Sequence, residues 1–218
     1  MKRLFPLFLA LSLSLSLSAC GAPTVGDVGA SEQFFAMDTI MTVNVLDENG
    51  EAAVQAARAE IDRLEQMLSR TREDSVIALL NTHAGDGSAL AVEPELGALL
   101  RFAQSVSQDL PGCFDITIAP VMDAWGFTRE ERHVPDPDTL ADTLALVDWR
   151  ALTVAEDDAS ARLEEPGMAV DLGAVAKGFA AQRAADAIRA AGGTSALLDL
   201  GGNITVLGSK PDGADWRV

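Results

Sequence analysis

Residues 170–203, VDLGAVAKGFAAQRAADAIRAAGGTSALLDLGGN, carry the densest structural signals of the chain. Residues 171–173 (Asp-Leu-Gly) follow a short apolar run and predict a turn from a strand into a helix. The alanine-rich residues 174–191 predict that helix, and the Gly-Gly pair at 192–193 predicts its C-terminal end. The following SALLDL run predicts a strand that ends in a Gly-Gly-Asn turn. We therefore expect a helix framed by two strands, with glycine at both junctions.

The start of this helix has the residues of a ligand site. Free backbone N–H groups at a helix N-terminus favour anions and polar ligand edges, and Gly173 allows close approach to the backbone. Asp171 can accept hydrogen bonds from a ring N–H or a ribose hydroxyl, and Lys177 lies where a phosphate could sit. The carbonyl of Ala174 could ligate a hard cation. The alternative is that Asp171 only caps the helix and Lys177 is solvated.

Periodic apolar positions predict further helices. A helical stripe covers residues 54–68, and Ser75 or Asp74 can cap a short helix after it. Pro94 suits the first turn of a helix that runs to about residue 109. Another helix is predicted from about residue 138 to residue 146.

Alternating residues predict strands between these helices. Residues 34–46 are interpreted as one half-buried strand, and residues 114–118 as a strand or extended segment that ends at Pro120. Residues 151–172 predict three short strands, and 204–218 predict a hairpin that ends in Trp-Arg-Val. Strands and helices mixed without strict βαβ alternation predict the α+β fold class.

The N-terminus has the layout of an export signal. Two basic residues precede an apolar run that ends in Leu-Ser-Ala-Cys-Gly, which resembles a bacterial lipobox, with ordinary signal cleavage as the alternative. We expect residues 1–19 to be a signal peptide, residues 20–31 to hold an acylated Cys20 and a flexible linker, and residues 32–218 to form the domain. Acylated Cys20 would anchor the protein in the lipid bilayer, on the extracytoplasmic face of the cell membrane.

The charge of the chain limits its partners. It has 16 Lys and Arg against 33 Asp and Glu, a formal net charge of −17, and loss of a leader with Lys2 and Arg3 makes it more acidic. Such a charge argues against nucleic acid as a partner. A phosphate ligand must then be held by backbone amides, a local cation or a metal.

Common catalytic motifs are absent from the sequence. His83 and His133 are the only histidines and form no ligand-spaced pair, which argues against zinc. There is no G-x-S-x-G or G-x-G-x-x-G motif, and in GAVAKG the lysine precedes the glycine, unlike a phosphate loop.

Six segments occur together and in this order: FAMDT, SRTREDSVIALLN, GCFDITIAPVMDAWGF, VDLGAVAKGFAAQ, LLDLGGN and GSKPDGADWRV. The series resembles the FAD:protein FMN transferase (ApbE) family of bacterial lipoproteins. The resemblance covers about residues 34–218. It implies an α+β arrangement with FAD bound between two interleaved parts.

The resemblance also implies site residues. The FAD-binding positions would be Met37, Thr71, Cys113, Phe114, Asp115, Asp171 and Lys177. The backbone oxygen of Ala174 would bind Mg²⁺. Thr71 departs from the family, because many relatives have an aromatic residue there that stacks on FAD.

The implied reaction is a Mg²⁺-dependent phosphoryl transfer. A Thr or Ser hydroxyl of a partner protein would attack the FMN phosphorus of FAD and release AMP. The partners would be extracytoplasmic flavoprotein subunits of membrane redox complexes. No catalytic residue is assigned.

The family also has a His-x-x-Asp-Pro element and a later Asp and Thr that complete its Mg²⁺ site, and none of these precedes Val218. We therefore expect a chain truncated at its C-terminus. Two other functions stay open: a Mg²⁺-dependent FAD pyrophosphatase, and a tethered FAD-binding lipoprotein without turnover.

Overall fold

The computed structural model describes residues 29–128 and 131–218. The predicted signal peptide, Cys20 and most of the predicted linker lie outside the described residues. The first strand begins at Ala30, inside the range expected to be linker.

The elements are numbered here along the described chain. The strands are β1 (Ala30–Ala36), β2 (Thr39–Val45), β3 (Leu90–Ala91), β4 (Leu152–Val154), β5 (Ser160–Leu163), β6 (Ala196–Leu200) and β7 (Asn203–Leu207). The helices are α1 (Gly50–Leu68), α2 (Val76–Thr82), α3 (Pro94–Asp109), α4 (Ala119–Ala124), α5 (Pro137–Leu144) and α6 (Gly173–Ala190). A 3-10 turn spans Trp149–Ala151.

Two antiparallel sheets form the β structure. The larger has the strand order β1-β2-β6-β7, and the smaller has the order β3-β5-β4. Helices α1 and α6 pack on each other and on the larger sheet. The alternating residues of β2 and β6 that face these helices, such as Val43 and Leu198, are fully buried. Antiparallel sheets with helices packed on them confirm the predicted α+β class.

The predicted helices are confirmed. Helix α6 begins one residue before the predicted start, and Gly192 after it has a φ of 88°, the left-handed conformation that ends many helices. Ser75, not Asp74, caps α2: its Oγ accepts a hydrogen bond of 3.0 Å from the N–H of Ala78. Helix α3 begins at Pro94 as predicted.

The single strand predicted over residues 34–46 is wrong. The chain turns back at Met37 and Asp38, so β1 and β2 pair as a hairpin with Ala36 opposite Thr39. Both turn residues have positive φ, 47° and 59°. The alternation of apolar and polar residues covers only residues 41–45, and the turn residues include no glycine or asparagine, so the sequence does not mark the reversal.

Three other strand predictions are wrong. Residues 114–118 form no strand beyond a single parallel bridge from Ile118 to Ala169, and the third strand predicted within 151–172 is reduced to that bridge. The carboxylate of Asp115 accepts hydrogen bonds from the Thr117 and Trp149 N–H groups, which folds this segment into turns. The last residues, 214–218, form no hairpin strand.

Buried aliphatic side chains from both sheets and from α1, α2, α3 and α6 join in one core. Within residues 29–128 and 131–218, no helix combines the length and the apolar character needed to cross a bilayer.

Candidate functional site

The turn before α6 is held rigidly in place. Asn81 of α2 accepts a 2.7 Å hydrogen bond from the N–H of Val170 and donates one of 3.0 Å to its carbonyl. The N–H of Asp171 donates to the carbonyl of Ile116 at 2.7 Å. The side chain of Asp171 accepts the N–H of Gly173 at 2.7 Å. The N-terminus of α6 is therefore a fixed edge on which a ligand can be oriented.

A cavity of about 1010 Å³ lies on one side of this edge. Its walls come from the end of α3, the turns at 111–118, the 3-10 turn and the start of α6. Five predicted site residues line it: Cys113, Phe114, Asp115, Asp171 and Ala174.

A second cavity of about 430 Å³ lies on the other side. It is bounded by the β1–β2 turn, the segment after α1 and the first turns of α6. Four predicted site residues line it: Met37, Thr71, Asp171 and Lys177. Met122, Asp171 and Gly173 line both cavities, so these residues form a shared wall between them. Every predicted ligand position thus lies on one of two adjoining cavities, while the role of each residue stays a prediction.

Not all of these side chains are free to contact a ligand. Asp115 is engaged within the protein: Oδ1 accepts from the Thr117 N–H at 2.8 Å and from its hydroxyl at 2.7 Å, and Oδ2 accepts from the Trp149 N–H at 3.0 Å. Phe114 is half-buried and packs on the core, whereas Cys113 is exposed. Asp115 therefore shapes the wall of the larger cavity through the turns that it holds.

Lys177 brings a positive charge to the smaller cavity. It is the fifth residue of α6, so it lies about one turn beyond Gly173 on the helix. Its charge adds to the positive end of the helix dipole. The chain as a whole is acidic, but the Lys177 ammonium and the N-terminus of α6 together form a locally positive site that can bind an anionic group.

Sequence reasoning missed two residues at the site. Arg70 lines the smaller cavity and forms an ion pair with Asp171, with 2.5 Å between its Nε and Oδ2. Trp149 lines the larger cavity, with the guanidinium of Arg150 5.0 Å from the centre of its ring. Arg70 stands next to Thr71 in a quoted motif, but its partner is distant in sequence. Trp149 lies in none of the motifs quoted above, so no sequence pattern marked it as a site residue.

The Mg²⁺ ligand that the resemblance implies is a backbone carbonyl, at the second residue of α6. In the two described ranges no group of three or more His, Cys, Asp or Glu side chains is placed to hold a metal ion. Ala174 is the second residue of α6, so its carbonyl follows the helix axis and has one lone pair left for a cation. Mg²⁺ requires near-octahedral coordination by oxygen atoms, and the Ala174 carbonyl can supply only one of these oxygen ligands.

The fold and the site define an α+β protein with two adjoining cavities at a helix N-terminus. The ApbE family model matches residues 37–218, and the chain belongs to this family. The match includes both cavities and the turn before α6.

Similar bacterial proteins are named for an activity. The FAD:protein FMN transferase of Treponema pallidum is 32% identical over 204 residues, which is 88% of this chain and 56% of that protein. The FAD:protein FMN transferase of Haemophilus influenzae is 26% identical, over 100% of this chain and 65% of that protein. The chain therefore spans about 56–65% of the length of these curated relatives.

Solved structures have the same fold. The apo flavinyl transferase ApbE of Pseudomonas stutzeri superposes with a TM-score of 0.77 at 26% identity, over 88% of this chain and 65% of that one. The ApbE protein of Thermotoga maritima has a TM-score of 0.78 at 24% identity, over 84% of this chain and 60% of that one, a likeness of fold.

Proposed function

We propose that this protein is an FAD:protein FMN transferase. It binds FAD and, in a Mg²⁺-dependent reaction, transfers the FMN part to a Thr or Ser hydroxyl of a flavoprotein. The hydroxyl oxygen forms a bond to the FMN phosphorus, the phosphoanhydride bond to AMP breaks, and the hydroxyl proton is released.

The observation that carries this proposal is the pair of cavities that meet at Asp171 and Gly173. FAD has two ring systems joined by a pyrophosphate, so a site for it needs two compartments with a polar junction. Volumes of about 1010 and 430 Å³ suit small-molecule ligands, for which sites of about 300–1,000 Å³ are usual. The family membership and the activity of the relatives support the same ligand.

The residues of the chain have separate tasks in this proposal. The amide groups at the start of α6 and the ammonium of Lys177 offset negative charge on the pyrophosphate. Asp171 accepts hydrogen bonds from the ligand at the junction. Bound Mg²⁺ would neutralise further phosphate charge as a Lewis acid, and the described residues supply only part of its ligands.

The test is a flavin-transfer assay with the full chain, FAD, MgCl₂ and a purified acceptor flavoprotein subunit. The expected result is AMP in solution and flavin fluorescence that stays with the denatured acceptor. Replacing the acceptor Thr or Ser by Ala, or chelating Mg²⁺, should abolish both signals.

The other outcomes of this assay identify the other functions. Free FMN and AMP without labelled acceptor would mean an FAD pyrophosphatase. Stoichiometric FAD binding without AMP would mean a flavin-binding protein. Lys177→Met should weaken transfer, while Lys210→Met, outside both cavities, serves as the matched control.

We propose further that Cys20 carries the lipid anchor and that the protein works on the extracytoplasmic face of the cell membrane. The acceptors would then be extracytoplasmic flavoprotein subunits of membrane redox complexes. The lipobox-like sequence supports this location. Cys20→Ser should move the protein from the membrane to the soluble fraction, and unchanged fractionation would contradict lipidation.

A further inference from the structure

Arg70 connects the two segments that form the wall between the cavities. Its Nε lies 2.5 Å from Asp171 Oδ2, and its Nη1 donates to Asp123 Oδ1 at 2.9 Å. The Arg70 side chain is only 11% exposed, which is unusual for a charged residue. The planar fork of a guanidinium can hold two carboxylates at fixed angles, which a lysine cannot do.

The orientation of Asp171 depends on this contact. One carboxylate oxygen of Asp171 is held by Arg70, and the other accepts the N–H of Gly173 at 2.7 Å. Removing Arg70 frees one of the two oxygens, so the carboxylate can rotate away from the position at which it meets a ligand.

The second partner of Arg70 is Asp123, and this contact fixes another part of the wall between the cavities. Asp123 follows Met122 on α4, and Met122, Asp171 and Gly173 line both cavities. Arg70 therefore ties α4 to the start of α6 at the boundary that an extended ligand must cross. The Arg70 Nη2 is buried and has no hydrogen-bond partner among the described residues. A guanidinium kept for stability alone would be expected to satisfy its buried donors.

We propose that Arg70 is a positioning residue for FAD: it holds Asp171 and the shared wall in the orientation that a ligand spanning both cavities needs. This inference rests on the proposed function, because it takes FAD as the ligand. It needs no turnover, so binding alone can test it.

The experiment measures the FAD dissociation constant of the full chain from the quenching of flavin fluorescence. The variants are Arg70→Met, Asp171→Asn and the double variant. Arg70→Met should weaken FAD binding about 10-fold or more, the range for a lost hydrogen bond to a charged group. The double variant should lose less affinity than the sum of the losses of Arg70→Met and Asp171→Asn, because part of the effect of Arg70 passes through Asp171.

Two further variants separate positioning from folding. Arg72→Met is the matched control, because Arg72 is exposed, lines neither cavity and, among the described residues, pairs with Asp74 alone, at 3.6 Å. It should bind FAD as the wild type does. Arg70→Lys keeps the charge but loses the fork, so it should fold and still bind FAD more weakly than wild type.

The outcomes distinguish the two hypotheses. Wild-type FAD affinity in Arg70→Met or Arg70→Lys, or additive losses in the double variant, overturns the positioning role and leaves the proposed function standing. A wild-type chain that does not bind FAD overturns both.

Discussion

Two tight turns lie side by side at one end of the larger sheet and reverse the chain with different residues. The β1–β2 turn uses Met37 and Asp38, with φ of 47° and 59°, and the β6–β7 turn uses Gly201 and Gly202, with φ of 67° and 90°. They are neighbours because β2 pairs with β6, with Met41 opposite Leu200. Both are two-residue hairpin turns of the kind that requires positive φ.

The β6–β7 turn has glycine because the packing of the fold demands it, whereas the β1–β2 turn has side chains that line a cavity of the candidate site. Glycine adopts positive φ without steric cost, whereas other residues lose about 1–2 kcal/mol per residue there. A Cβ on Gly201 would lie 2.5 Å from the Thr39 side chain, so close packing demands glycine. Met37 and Asp38 accept the strain, and both line the smaller cavity. Strained backbone tends to occur where a side chain has a functional role.

The largest effect should come from breaking the glycine turn. Gly201→Ala should lower the free energy of unfolding by about 2–4 kcal/mol, because positive φ and the clash with Thr39 add together. Gly202→Ala should cost less, since a Cβ there meets no atom within 4 Å. Urea unfolding measures both, and equal losses would contradict the role of Thr39.

A carboxylate, that of Asp47, holds two chain segments together at the opposite end of the larger sheet. Asp47 follows β2 and accepts hydrogen bonds from the N–H groups of Thr194, at 2.6 Å, and Ser195, at 3.1 Å, just before β6. Partial burial raises the pKa of Asp47, but these bonds and that from the Asn49 N–H outweigh it and lower the pKa below its ordinary value.

Asp47→Asn should therefore cost about 1–3 kcal/mol of unfolding free energy at pH 7, as expected for hydrogen bonds to a charged group. A lowered folded pKa means that the stabilisation is present above the unfolded pKa of Asp47 and is lost as the pH falls through the folded pKa. The difference between wild type and variant should shrink below about pH 4. A difference that stays constant from pH 7 to pH 3 would refute the charged role.

The strained turn can be tested through ligand binding. Met37→Gly relieves the backbone but removes a side chain that lines the smaller cavity, so FAD affinity should fall about 10-fold, the equivalent of one lost contact of about 1.4 kcal/mol. Fluorescence titration with FAD measures this. Unchanged affinity would mean that Met37 serves the fold only.

The smallest expected effect is a gain. Asp38 is exposed and has positive φ, so Asp38→Gly should raise the unfolding free energy by about 0.5–1 kcal/mol through relief of strain. Thermal unfolding would show a higher midpoint. A lower midpoint would mean that the turn is not strained, and the contrast with Gly201 and Gly202 would lose its basis.

These turns also explain which parts of the fold could be predicted. Helices α1, α3 and α6 have local signals: an apolar stripe, a proline at the start and a glycine pair at the end. The hairpin of β1 and β2 was missed because its turn lacks the glycine or asparagine that usually marks one. The turns at 114–118 were missed because they depend on the hydrogen bond between Asp115 and Trp149, which are far apart in sequence.

The candidate site also has residues that the sequence predicts and residues that only the structure reveals. Motifs that resemble a known family were enough to name residues that the structure brings to two adjoining cavities. The shared wall, and Arg70 within it, could not be named, because the two partners of Arg70 come from distant segments. No local pattern encodes such a contact.

The sequence by itself determined the α+β class, the long helices, the family and the segments that line the two cavities. These follow from periodicity, capping residues and short motifs, which act over a few residues. Only the tertiary structure decided that the site is two cavities divided by Asp171, that Arg70 orients this carboxylate, and that one hairpin turn accepts strain beside the cavity. The physical reason is that these features depend on side chains and carbonyls that meet only after the chain has packed.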